Sequence, residues 1–296
     1  MELRRVAPVV GLVVLLAVDA VLIGWAFRPP PADDYVPTAA STSTGKFTLP
    51  KAVPVEQYVT AVGPDIAWVA NAGSCADPGD VWVTKDKGDS WTRNALPGRV
   101  LRLLAESSTD ARAVGGDESD KCSLKLWTSS NAGGDWGEPG DAALAWSRDP
   151  TDRMAVHTPG DETVRPCGPR TVIDLSVLDG SRATVLCVNG DVYATTDGGG
   201  GWRKAYTVKS ALALTVAEGG RGVVLKADAK CKGVVALPIV SGKPAKKGEC
   251  VVAPAPNGQI SVSNAVNGWW LLVGPKVFTA EEPTGPWSRT GEDALG

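Results

Sequence analysis

The chain has 296 residues, 33 acidic and 30 basic side chains, a net charge of −3 and one histidine. It therefore lacks the basic surplus that a nucleic-acid binder needs, the His-rich ligands of common zinc sites, and the paired partner of a Ser-His or Cys-His catalyst. With 43% hydrophobic residues, a mean hydropathy near zero, 34 Gly, 22 Pro and 11 Trp against 3 Phe, the composition excludes a disordered or polytopic membrane chain and suits short strands joined by turns.

Residues 1–5 carry Arg4 and Arg5, and residues 6–27 are apolar except for Asp19. Roughly 22 residues make a helix of about 33 Å, enough to cross a hydrocarbon core. The arginines on its near side and the acidic Pro29-Pro30-Pro31-Ala32-Asp33-Asp34 beyond it predict an uncleaved, single-pass signal anchor with a cytoplasmic amino end. A carboxyl inside such a span is costly unless it faces protein or water, so Asp19 is the expected contact to a neighbouring membrane helix. Residues 28–51 are rich in Pro, Ser and Thr and read as a linker, leaving 52–296 as an extracytoplasmic domain.

Six cysteines, Cys75, Cys122, Cys167, Cys187, Cys231 and Cys250, all lie beyond the anchor. An even number in an exported segment points to disulfides, and pairing sequence neighbours gives Cys75–Cys122, Cys167–Cys187 and Cys231–Cys250 among the alternatives. No CxxC pair is present and His157 is alone, so no metal or cofactor is expected.

The domain repeats a pattern written around tryptophans. Asp80-Val81-Trp82-Val83-Thr84-Lys85-Asp86-Lys87-Gly88-Asp89-Ser90-Trp91 recurs in frame with Thr195, Asp197, Gly199 and Trp202, and again with Ser129, Asn131, Gly133 and Trp136. A worn copy ends at Trp287. In each, an alternating strand meets a hydroxyl and an Asp or Asn that can bind nearby backbone N–H groups, then a glycine for the reversal and a tryptophan to cover it. Strands preceding the turns are predicted at Ile66–Ala70, Ala111–Val114, Arg153–Val156, Ala183–Leu186, Gly222–Leu225 and Gly268–Leu272. That spacing is close to about 40 residues per unit.

The Ser/Thr-x-Asp-x-Gly-x-x-Trp pattern resembles the Asp-box, or BNR, repeat of β-propellers such as sialidases, sortilin-type receptors and photosystem II assembly factors. The resemblance covers residues 55–290 and implies an all-β fold, a six-bladed (alternatively seven-bladed) β-propeller, preceded here by one transmembrane helix. It also implies that the boxes are structural. The sialidase relatives carry an Arg-Ile-Pro motif whose arginine clamps a carboxylate; Phe47-Thr48-Leu49-Pro50 places Thr48 there instead, so no catalytic residue is assigned. The reading is a non-catalytic docking or assembly module of a bacterial envelope, held in the cell membrane and meeting an integral membrane protein through Asp19 and the propeller loops. The alternatives are a glycoside hydrolase and a glycan- or ligand-binding sensor.

Overall fold

The computed structural model describes residues 48–160, 162–291, 293 and 294. The expected cytoplasmic end, the anchor with Asp19, and the linker up to residue 47 lie outside the described residues. Among the described residues, no helix is long and apolar enough to cross a membrane.

Among the described residues six antiparallel sheets form six blades, each built from strands consecutive in sequence. Blade 1 holds β1 (Gln57–Ala61), β2 (Ala67–Asn71), β3 (Asp80–Thr84) and β4 (Thr92–Ala95). Blade 2 holds β5 (Arg99–Ala105), β6 (Ala111–Gly116), β7 (Lys125–Ser129) and β8 (Gly140–Asp141). Blade 3 has only β9 (Ser147–Arg148), β10 (Val156–Thr158) and β11 (Glu162–Val164). Blade 4 comprises β12 (Val172–Val177), β13 (Ala183–Cys187), β14 (Asp191–Thr195) and β15 (Arg203–Thr207). In blade 5, β16 (Ala211–Ala217), β17 (Arg221–Lys226) and β18 (Gly233–Val240) are followed by β19 (Lys243–Pro244) and β20 (Glu249–Val252), both paired with β18. Blade 6 is β21 (Ile260–Ala265), β22 (Gly268–Val273), β23 (Lys276–Ala280) and β24 (Ser288–Arg289). This is a six-bladed β-propeller, and the seven-bladed alternative is not realised.

Burial grades outward from the second strand. β13 and β22 are buried along their whole length and β2 for all but its last residue, whereas β4 and β24 are largely exposed. A second strand is covered by neighbouring blades on both faces, which explains continuous apolar runs such as Trp270-Leu271-Leu272-Val273 where one-sided strands would alternate.

The three predicted tryptophan-closed turns share one hydrogen-bond network. Thr84 Oγ1 accepts the Gly88 N–H (2.9 Å) and donates to Asp86 Oδ1 (2.8 Å), which accepts the Ser90 N–H (3.0 Å). Ser129 and Asn131 repeat this toward Gly133 and Asp135, and Thr195 and Asp197 toward Gly199 and Gly201. Only one oxygen of the Asp is needed to reach the backbone, so Asn131 serves as well. In the worn copy the hydroxyl position is Ala280, and the Trp287 N–H is held instead by Glu249 of the preceding blade (3.2 Å).

Each turn reaches back to the blade before it. The ring of Trp91 meets Trp270 edge-on at 6.5 Å, and that of Trp202 meets Trp146 at 6.0 Å. Trp136 packs in the cluster that contains Trp68. The same three partners, Trp270, Trp146 and Trp68, donate their indole N–H to the first hairpin of the next blade, at Gly63 (2.9 Å), Asp179 (3.0 Å) and Ser107 (2.8 Å). Tryptophan pairs thus zip the seams between blades 6 and 1 and between blades 3 and 4, and a cluster holding two tryptophans closes that between blades 1 and 2.

Blade 3 departs from the expected frame. Residues 153–156 were expected to be its second strand, but Arg153–Ala155 form the turn ahead of β10. Trp146, in line with β9, makes the contacts that Trp68 and Trp270 make from the second strands of their blades. β9 also runs against its neighbour: Arg99, at the start of β5, reaches Pro150 O, whereas Arg102 reaches the earlier Trp146 O. Blade 3 has therefore lost its first strand, and its second strand has moved to the axis. The Asp149 carboxylate caps the following turn through the Thr151 and Asp152 N–H groups, which ends β9 after two residues.

The cysteines pair as Cys75–Cys122, Cys167–Cys187 and Cys231–Cys250. The first joins the β2–β3 and β6–β7 loops of blades 1 and 2; the second ties the end of blade 3 to β13; the third lies within blade 5.

Candidate functional site: the axial channel

Five first strands and β9 surround a channel of about 370 Å³. Each inner strand presents an edge whose N–H groups have no strand partner, and side chains of the neighbouring blade satisfy several of them. Ser261 and Ser263 accept the N–H groups of Val59 (2.9 Å) and Ala61 (3.0 Å). Asp174 and Ser176 do the same for Leu214 (2.7 Å) and Val216 (2.9 Å). The Thr60 hydroxyl donates to Leu103 O (3.1 Å) and that of Thr215 to Asn264 Oδ1 (3.0 Å). The channel wall is consequently polar while the blades behind it are apolar.

One end of the channel is closed by the chain itself. Val55, almost fully buried, donates its N–H to Ile173 at the start of β12 (2.9 Å), and its carbonyl accepts both the Tyr58 hydroxyl (3.0 Å) and the Arg148 guanidinium. Glu56 and Gln57 donate to Gly258 of blade 6 (2.8 and 3.2 Å). The segment entering β1 therefore bridges blades 3, 4 and 6 across the end where the first strands begin. Arg148 also donates to the Tyr58 hydroxyl (2.5 Å), with its guanidinium 6.0 Å from the centre of that ring.

Asp174 stands near this floor. Burial pushes its carboxyl up to about 6, against the opposing pull of the Leu214 N–H, the Arg148 charge and the Leu175 N–H. Arg102 is the second displaced group: burial, with Arg112 nearby, lowers its guanidinium to about 10. Both charged oxygens of Asp174 already accept backbone N–H groups, so they brace the seam between blades 4 and 5. Glu218, at the other end of the inner strands, is paired with Arg182 (2.5 Å). Asp174 thus lies toward the floor of the channel and Glu218 at its mouth.

The mouth opens on the face of the first and third hairpins. Ala217, Glu218 and Asn264 line both the channel and a broad groove of about 1090 Å³ over blades 5, 6 and 1, where Val266 is 79% exposed. The groove holds charged as well as apolar side chains, among them Lys87 and the Arg221–Glu282 pair.

The residues singled out in the sequence divide between two places. Thr84, Asp86, Gly88 and Trp91 and their counterparts line the outer seams, away from the axis. The six cysteines lie on the strand ends and loops of the opposite face. Asp19 lies outside the described residues. Sequence reasoning missed the channel residues Tyr58, Arg102, Arg148 and Asp174. A usable signal was present, since Val100-Leu101-Arg102-Leu103-Leu104 and Val172-Ile173-Asp174-Leu175 each set one charge inside an apolar strand. Among the described residues no cluster of His, Cys, Asp and Glu could hold a metal ion.

No protein-family model matches the chain, and a search of curated proteins finds no relative. Among solved structures, YCF48 bound to a D1 peptide is similar over 83% of this chain and 73% of its own, at 14% identity and a TM-score of 0.30. A GH74 enzyme of Niastella koreensis is similar over 79% of this chain but 47% of its own, at 12% identity and a TM-score of 0.40. The WD40 propeller domain of Doa1 is covered over 93% of its length and 77% of this chain, again at 12% identity and 0.40. The propeller assignment rests on the strand pairing of the chain itself.

Proposed function

We propose that the chain is a non-catalytic docking or assembly module, held at the outer face of a bacterial membrane by residues 6–27. The observation that carries this reading is the cup formed by the channel: closed at one end by Val55 and opening at the other into a groove wide enough for a protein surface. Mixed polar and apolar lining, with most of its charges already held in ion pairs, suits a protein partner. Three disulfides support an oxidising compartment, and the apolar run ahead of the linker supports a tether.

Site-specific photo-crosslinking in native membranes tests it. A photoreactive residue at Val266, on the groove, should give one discrete crosslinked membrane protein, whereas one at Ser119, on the opposite face, should not. Equal crosslinking from both positions, or glycoside turnover by the purified chain that disappears in Asp174→Asn, overturns the reading.

A further inference from the structure

Arg102 lines two cavities: the axial channel and a second one of about 500 Å³ on the side of blade 3. That second space exists because blade 3 lacks a first strand and the seam between blades 2 and 3 has no tryptophan pair. Its wall is largely apolar, with Leu104, Val114 and Leu126 from blade 2, Trp146 from blade 3, Val177 and Leu178 from blade 4, and Leu144, 83% exposed, at the rim. The volume falls within the range of about 300–1,000 Å³ of small-molecule pockets.

Among the described residues no carboxylate pairs with the guanidinium at this junction. Its one hydrogen bond goes to a carbonyl, Trp146 O (3.2 Å), and the charge acting on it is Arg112, of like sign and already paired with Glu106. Asp141 and Asp179 also line the cavity, but neither is in ion-pair contact with Arg102: Asp141 is exposed and accepts the Ala143 N–H (2.8 Å), and Asp179 is paired with Arg182 (2.6 Å). A cation set below the surface without a counter-ion is unfavourable, and an anion arriving there gains a charge-assisted bond of the strong kind. A purely hydrophilic anion would leave the apolar wall uncovered; a neutral lipid would leave the charge bare.

We propose that this cavity binds an aliphatic carboxylate, with its head on Arg102 and its chain along the groove between blades 2 and 4. The site lies apart from the docking groove over blades 5, 6 and 1, shares Arg102, Val177 and Leu178 with the axial channel, and does not depend on what that groove binds. The test uses the full chain in phosphatidylcholine nanodiscs and a decanoate analogue with a terminal diazirine, followed by peptide mapping. Light should attach the probe to residues 141–146 and 177–180, with decanoate competing and decanol or acetate not. Arg102→Gln should weaken that competition about tenfold or more. Leu144→Glu, at an exposed position that does not burden folding, should abolish labelling of the same peptides while the three disulfides remain intact. Competition by decanol equal to that by decanoate, labelling unchanged in Leu144→Glu, or no label on these peptides would each overturn the proposal.

Discussion

At Gly199 two demands coincide. Its φ is +100°, and a Cβ there would lie 2.7 Å from Thr158 Cγ2 of the preceding blade. Gly198, with φ +73°, has only a carbonyl at 3.8 Å. Gly198→Ala should therefore lower stability by about 1–2 kcal/mol from backbone strain alone. Gly199→Ala should lower it by at least about 1 kcal/mol more, because the seam must also open. Urea midpoints of the two variants measure the difference, and equal midpoints would mean that the turn does not bear on its neighbour. Asp174 supplies a second prediction. Its folded carboxyl, near 6 against an ordinary 3.8, keeps a proton that the unfolded chain has released. It therefore weakens the fold as pH rises from about 4 to 6, and the penalty is complete above that. Acidifying from about pH 7 to 5 should raise the urea midpoint, and Asp174→Asn should remove the rise. Asp86 acts oppositely: hydrogen bonds from Ser90 and Thr84 hold it at about 2, so its stabilisation is lost as pH falls from its ordinary value of 3.8 through that range. The turn residues were legible because their network spans fewer than about ten consecutive positions. The channel residues were not, because Tyr58, Arg102, Arg148 and Asp174 come from four blades and meet only when the ring closes.

Among the elements, the disulfides differ in what they span. Cys75 and Cys122 are 47 residues apart, against 20 for Cys167–Cys187 and 19 for Cys231–Cys250. On chain entropy alone, replacing either short pair by serines should cost about 3 kcal/mol and replacing the long one about 4. Denaturant titration of the three double variants gives the order, and a Cys75–Cys122 variant less affected than the other two would mean that strain or residual structure dominates. The sequence left the connectivity open and only suggested neighbour pairing; the structure has that pairing because neighbouring cysteines fall on neighbouring loops of a serial fold. The second strands were legible for a related reason: burial on both faces writes an uninterrupted apolar run, as in β17 and β22. Blade 3 misled the same test. Met154-Ala155-Val156 is apolar enough for a strand, but the Asp149 cap and the Asp152 carboxylate, which accepts the Met154 N–H (2.9 Å), hold the segment in a turn. Trp146 was the better landmark.

For the ring as a whole, stability should be uneven. Tryptophans close three seams, two by ring pairs and one within a cluster, and two of the three also carry an interblade disulfide, whereas blades 2 and 3 meet through two arginine-to-carbonyl bonds beside a cavity. Local opening follows low packing and solvent-accessible hydrogen bonds. Amides of β9 and β10 should therefore exchange with deuterium faster than those of β13 and β17, and the reverse order would show that the missing strand does not weaken its blade.

The segment across the channel floor also constrains the order of events during synthesis. Every blade is completed from strands made one after another, so each can pair as soon as it emerges. Val55 is among the first domain residues to be made, yet Arg148, Ile173 and the Gly258 that anchors its neighbour appear only as blades 3, 4 and 6 do. The floor's bonds to blades 3 and 4 can thus form before the ring is complete, and only its bonds to Gly258 wait for the blade that is made last.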